Sequence, residues 1–475
     1  MNRREFLSLA TAATAYPLAG TAAGPLVASV ELRREPPLAE VPADFTGLSY
    51  ESVQLYNPDY FSAANTALVD ACKGLGARGV LRLGGNLSDR SRWKGEAGDV
   101  TSPRELASIE HGKNYAEWKL VDPRASADRG GAITPRALRQ LRGFLDATGW
   151  SLIYGLNFGS GSIERAGDEA DCVAREIGGR LLAFQFGNEV DYYAGNPDYR
   201  TPAYDYDEFY SGWQQFAGAV RQRVPHAPLA GPDVASNLDW IAQFARRAAG
   251  EVVLLSGHYY AMGPASDPAM NAARLLGTDP KLQQQIDRAR QATVTAGVPF
   301  RMTEGNSCYG GGKPGVSDAY ASALWGADYL LRLAAGGYAG VNLHGGGMGW
   351  YAPIAAPAEG TTELRPLYYG MQFAGRFAGF GLLRCKLDGP AALSAYAGRQ
   401  GGVTQLALIN KGDRDIQVSL DGELTGQGSA RCWKLSGPAL DARQGVRFDA
   451  ADPARLHPIV VTAHSGVILA WDGKA

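Results

Sequence analysis

Net charge, cysteine and histidine are all scarce in this sequence, and each scarcity closes off a class of function. Across 475 residues the formal net charge is only −2. Without a basic excess there is no electrostatic reason to expect nucleic acid as a partner, and a long sulfated polyanion is not favoured either. The five cysteines, Cys72, Cys172, Cys308, Cys385 and Cys432, are scattered without metal-ligand spacing. They read as small core residues; a Cys385–Cys432 bridge is left open. Beyond about residue 24 no apolar run approaches the ~20 residues that cross a bilayer, so no membrane partner is expected.

What the sequence has is a sizeable apolar fraction, 45%, enough for a large core and too much for wholesale disorder. The N-terminus carries Arg3 and Arg4, then a weakly apolar Ala/Thr-rich stretch and the small residues Thr21, Ala22 and Ala23. That pattern predicts a twin-arginine-type signal over residues 1–23 and export to the periplasm or medium.

From about residue 44 to 379 short apolar runs alternate with amphipathic ones. The runs at 45–50, 79–85, 152–158, 181–189, 229–234, 252–260, 300–307 and 340–345 predict strands. They are rich in Leu, Val, Phe and Tyr and carry few charges, as strands buried on both faces do. Helical patterns fall at 65–77, 134–149, 163–179, 207–224, 237–249, 280–296, 318–335 and 366–378. Thr134-Pro135 is a cap followed by proline at the first helical position, and Leu138, Leu141, Phe144 and Leu145 then share a face. Eight strands, each followed by a helix, predict a (β/α)8 TIM barrel over 41–379. An open doubly wound sheet is the runner-up, but Gly47-Leu48-Ser49-Tyr50 is not a phosphate-binding turn. After residue 380 short alternating runs split by Gly, Asp and Asn predict a β-sandwich. Residues 27–33 also alternate, so residues 24–40 are assigned with 380–475 to that second domain.

In such a barrel, chemistry sits where strands end. The fourth predicted strand ends in Asn188-Glu189 and the seventh in Thr303-Glu304. Two carboxylates at one mouth are what glycoside hydrolysis with retention requires. One, protonated, assists the leaving oxygen; the other, ionised, attacks the anomeric carbon. The pair therefore predicts a glycosidase with Glu189 as acid/base and Glu304 as nucleophile. A non-catalytic carbohydrate-binding barrel is the competing reading, and the intact pair argues against it. His258 and His344 lie near strand ends with no third ligand apparent, so no metal site is expected and no cofactor is required.

The residues Leu81-Arg82-Leu83-Gly84-Gly85-Asn86, Gly187-Asn188-Glu189, His258-Tyr259-Tyr260, Thr303-Glu304-Gly305-Asn306-Ser307-Cys308-Tyr309-Gly310-Gly311-Gly312 and Gly315-Val316-Ser317-Asp318 carry a further signal. Together they resemble glycoside hydrolase family 79, which holds β-glucuronidases and heparanases. The resemblance covers essentially all of the mature chain, and the stretches 132–161 and 184–351 are most similar to bacterial exo-β-glucuronidases. It implies a retaining exo-β-glucuronidase acting on a glucuronic-acid-containing carbohydrate or conjugate. The alternative it leaves open is a heparanase-like endo-β-glucuronidase. It further implies that Tyr309 and the backbone of Gly310 and Gly311 hold the uronate carboxylate. Lys313 beside them reads either as an added charge or, as is commoner for a lysine next to a loop, as a solvated side chain. Asn188 would donate to the sugar 2-hydroxyl, Tyr259 would hydrogen-bond the nucleophile, and Glu51, Asn86 and Tyr351 would touch the sugar. Arg82 is assigned to a buried ion pair. The long polar segment 94–129 is expected to close one end of the cleft.

Overall fold

The structure is a computed structural model and describes residues 25–32, 36–127, 130–358, 361–422, 429–455 and 458–472. The proposed signal, residues 1–23, lies outside the described residues.

After an N-terminal strand β1 (Leu26–Leu32), eight strands close into a parallel barrel: β2 (Thr46–Glu51), β3 (Val80–Gly84), β4 (Ser151–Leu156), β5 (Leu181–Phe186), β6 (Leu229–Val234), β7 (Leu254–Met262), β8 (Phe300–Cys308) and β9 (Gly340–His344). Their sequence order is their spatial order, with β9 returning to pair with β2. Almost every strand residue is buried, because helices cover the outside and side chains fill the lumen. Outward positions such as Leu81, Leu152 and Phe184 join the main core.

The helices follow from capping and periodicity. Those of ten residues or more are α1 (Thr66–Leu75), α2 (Pro103–Gly112), α3 (Pro135–Thr148), α4 (Ile163–Ile177), α5 (Tyr206–Arg223), α6 (Leu238–Arg247), α7 (Pro280–Ala296), α8 (Tyr320–Ala335) and α9 (Pro366–Gly375). In α3 the Thr134 side chain accepts from the Ala137 amide, Leu138, Leu141, Phe144 and Leu145 are buried, and Gly149 ends the helix in the left-handed conformation. All the barrel helices expected from periodicity are present. The helix α2 was not expected; it sits in the polar segment after β3 and is opened by a capping box from Ser102 and Glu105.

Beyond α9 two sheets pack as a sandwich. In the four-stranded sheet β1 lies between Cys385–Asp388 and Ile416–Gly422, parallel to the latter with Leu26 beside Ile416. The larger sheet has seven strands and packs on the barrel through α8 and α9: the Tyr320 hydroxyl donates to the carbonyls of Leu435 and His464, and Phe373 meets Phe448 edge-on. All five cysteines are free, so Cys385 and Cys432 form no bridge. Among the described residues no helix is long and apolar enough to cross a membrane.

Candidate active site

The fourth barrel strand stops earlier than its apolar run predicts. β5 ends at Phe186 rather than at 189, because Gly187 (φ 80°) and Glu189 (φ 53°) both take left-handed backbone. Only glycine fits at 187, where a Cβ would lie 2.2 Å from the Tyr193 hydroxyl oxygen. A glutamate held at positive φ costs about 1–3 kcal/mol. It is pinned by its own amide, which donates to the Asp233 carbonyl at 2.9 Å, and by its carbonyl, which accepts from Tyr192 at 2.9 Å. The turn aims the Glu189 side chain over the barrel mouth.

Glu304 comes up from β8 to the same place. One carboxylate oxygen of each glutamate and a ring nitrogen of His258 all lie within 4.8 Å of one another. That spacing suits the about 5–5.5 Å carboxyl separation of the retaining route.

The surroundings drive the two acids apart. Burial works against ionisation of Glu304, but His344, His258, Arg82 and a hydrogen bond from Tyr260 outweigh it and hold the carboxyl down at about 2. Arg82 Nη1 donates to its Oε2 at 2.7 Å and the Tyr260 hydroxyl to its Oε1 at 2.7 Å. For Glu189 burial dominates and raises the pKa; His258 offsets part of this and the Glu304 charge adds to it. One acid is thus kept ionised while the other favours its proton, which is how acid and nucleophile are told apart.

Beneath the pair lies a wholly buried ionic layer. Arg82 donates to Asp233 (2.6 Å), Asn188 (2.8 Å), Ser49 (3.1 Å) and Gln185 (3.2 Å) besides Glu304. Its pairing with buried carboxylates is therefore as expected. His258 places Nδ1 3.2 Å from Glu189 Oε1 and Nε2 3.2 Å from Asp233 Oδ1. The second contact is an ion pair without hydrogen-bond alignment. Burial lowers the His258 pKa, but Asp233 and Glu304 overcome this and push it up to about 10. His258 thus bridges the Glu189 carboxyl and the buried Asp233–Arg82 pair.

The pocket above this layer has a volume of about 780 Å³ and is lined by Glu189, Glu304, Glu51, Asn86, Tyr309, Gly310, Gly311 and Tyr351. With Tyr259 also in its wall, the structure brings nine of the ten predicted site residues to one pocket; Asn188 is the exception. Glu51 accepts from the Leu87 amide at 2.8 Å, and burial, eased by His344, pushes its carboxyl up to about 7.

Three residues stand elsewhere than expected. Tyr259 does not reach the nucleophile; its hydroxyl donates to Asp279, behind the barrel wall. Tyr260 makes the contact instead. The cause is register: His258 occupies the lumen, side chains alternate along a strand, and a bulge between Gly257 and His258 fixes which alternate faces in. Tyr259 reaches the pocket only as part of its wall. Asn188 stands one layer back and does not line the pocket. Its Oδ1 accepts from Arg82 and the Gly85 amide, and its Nδ2 donates to Asn86 Oδ1 at 2.9 Å, so it positions Asn86. Lys313 also misses the pocket, donating to the Asp267 carbonyl at 3.1 Å.

Three contributors were not singled out in the sequence. Asp233 is a charge inside the apolar run 229–234, a legible oddity. Lys119 has no local signature. It lies in the short helix Ala116–Leu120, lines the pocket, and donates to the Gly310 carbonyl at 2.9 Å. A Cβ on Gly311 would lie 2.2 Å from the Lys119 side chain, so glycine is what admits the lysine. Tyr192, three residues beyond the acid, forms part of the outer rim.

No family model matches the sequence. A β-glucuronidase of Neurospora crassa is 25% identical over 432 residues, spanning 80% of this chain and 71% of that protein. The chain is a glycoside-hydrolase barrel similar in sequence to β-glucuronidases. Solved structures agree on the fold. A 4-O-α-L-rhamnosyl-β-D-glucuronidase from Fusarium oxysporum superposes with a TM-score of 0.68 at 15% identity, over 93% of this chain and 100% of that one. An α-L-arabinofuranosidase from Thermotoga maritima gives 0.67 at 14% identity, over 94% and 100%. In this glycoside-hydrolase barrel the paired carboxylates occupy the mouth, where the fold carries its chemistry.

Proposed function

We propose that the chain is a retaining exo-β-glucuronidase of the family 79 type, exported by its twin-arginine signal. The observation that carries the mechanism is the close Glu189–Glu304 pair with opposite protonation preferences. In the first step a Glu304 oxygen attacks C1 while Glu189 delivers its proton to the glycosidic oxygen, and the leaving group departs as an alcohol. Glu189, now a carboxylate, then takes a proton from water as that water attacks C1. The ester to Glu304 breaks and the uronic acid leaves with its β configuration. Arg82 favours the ionised Glu304 before attack and again after the ester breaks, and Asp233 pairs with both Arg82 and His258 beneath it.

Substrate class rests on the pocket wall. A uronate needs donors and a cation, and Tyr309, the backbone of Gly310 and Gly311, and Lys119 stand together there. Exo action is supported by the helix Ala116–Leu120. It is tied to one side of the pocket by Asn86 Nδ2 donating to Glu117 Oε1 at 3.2 Å, and to the other by Lys119. The Neurospora relative, a β-glucuronidase, points the same way.

The test is hydrolysis of an aryl β-glucuronide followed by proton NMR. First-formed β-glucuronic acid supports the reading; α-product, or no release of the aryl group, overturns it. Free glucuronic acid as the sole early product from an oligosaccharide separates exo from endo cleavage.

A further inference from the structure

The pocket does not end at the acid. A second cavity of about 480 Å³ adjoins it and shares Tyr192, Ser236, Leu238 and Gln284 with the first. None of the uronate-side residues, Tyr309, Gly310, Gly311 or Lys119, borders this outer space. The cleft therefore extends on the side away from the uronate cradle, from the wall that begins three residues after Glu189.

That wall is rigid. The Asp191 carboxylate accepts from three successive amides, Ala235 at 2.8 Å, Ser236 at 3.1 Å and Asn237 at 3.0 Å, which locks the loop after β5 to the loop after β6. The Tyr192 hydroxyl is bonded to Ser236 Oγ at 3.1 Å. The residue is nevertheless 59% exposed, an aromatic side chain held out to solvent. Across the space stands one face of α7. Lys281, Gln284 and Arg288 are spaced i, i+3, i+7, and all three border the inner or the outer cavity. Arg288 Nη2 is 3.9 Å from Asp239 Oδ1, so the outer floor carries both signs of charge.

We infer that this outer cavity is a saccharide subsite for the leaving group, with Tyr192 as a stacking platform and Ser236, Asn237, Gln284 and Arg288 as partners for hydroxyls. The lining decides between a glycan and an aryl conjugate. An aryl group would find only Tyr192 and Leu238 to pack on, whereas a sugar ring uses the aromatic face and the hydroxyl, amide and guanidinium groups around it. The inner pocket alone already has the volume that takes a drug-sized ligand, so a simple conjugate leaves the outer cavity unused. The inference rests on the glucuronidase reading and deepens it: the substrate is a glucuronosyl oligosaccharide, cut from its uronic end.

The experiment compares kcat/KM on methyl β-glucuronide and on a trisaccharide bearing β-glucuronosyl on two neutral sugars, for the wild type, Tyr192→Ala and Gln284→Ala/Arg288→Ala. All the changed side chains are solvent-exposed, and circular dichroism confirms the fold. The trisaccharide-to-methyl ratio is expected to fall about 10-fold or more in each variant, since stacking and hydrogen-bond losses of this kind are worth roughly 1–2 kcal/mol. An unchanged ratio in both variants overturns the subsite. If the wild type cleaves neither substrate, the glucuronidase reading fails. The outer site is then decided by NMR titration with the neutral disaccharide alone: loss of binding in Tyr192→Ala supports it, and equal binding ends it.

Discussion

Two buried arginines invite comparison. Arg82 and Arg165 are both essentially inaccessible, and each pairs with two carboxylates. Arg165, on α4, joins Glu105 of α2 and Glu169 of its own helix, and the Tyr154 hydroxyl completes Glu169 at 2.7 Å. Every member is sealed, and the cluster clamps the segment after β3 to the barrel flank. Arg82 holds Asp233 and Glu304, but here one carboxylate is 7% exposed and faces a pocket. Buried charge alone is therefore no sign of catalysis. What separates the clusters is an opening, and a second acid placed across it.

The comparison can be broken by substitution. The largest effect is expected for Glu304→Gln, a loss in kcat on the order of 10⁴-fold or more on an aryl glucuronide with an unchanged circular dichroism spectrum. Glu189→Gln should cost roughly 10²–10⁴-fold on substrates with poor leaving groups and much less on activated aryl ones, read from a leaving-group series. Arg165→Met should act in the opposite currency. It strands two buried carboxylates and should lower stability by about 3–5 kcal/mol in urea unfolding, while kcat per folded molecule is kept. Equal loss of kcat there would erase the distinction between the clusters.

A smaller change sharpens it. Tyr260→Phe removes a donor that helps depress Glu304. A depressed carboxyl is ionised above its folded pKa, so the wild-type acid limb lies low, set by a group near 2, and the variant's limb should move to higher pH. Activity falls on the alkaline side as Glu189 loses its proton, and that limb should stay in place. Smallest is Lys119→Ala, expected to raise KM for a glucuronide several-fold while leaving kcat nearly intact.

The barrel was legible because strands buried on both faces leave uninterrupted apolar runs, and helix caps such as Thr134-Pro135 punctuate them. The carboxylate pair was legible because each run ended in a glutamate. Tyr260 was not, since a bulge sets the register and bulges leave no local mark in composition. The place of Asn188 was not, since the left-handed turn at Gly187–Glu189 sets it behind Asn86. Lys119 arrives from a distant polar segment, and only tertiary packing brings it to Gly310.

The strand Leu26–Leu32 finds both its neighbours in segments synthesised after the whole barrel. On a nascent chain it leaves the ribosome early and waits, edges unpaired, until those late strands follow. The cylinder contains no part of this strand, so the front of the polypeptide is stitched to its rear outside the barrel, and a lesion at the front is felt in the distant sandwich rather than at the cleft.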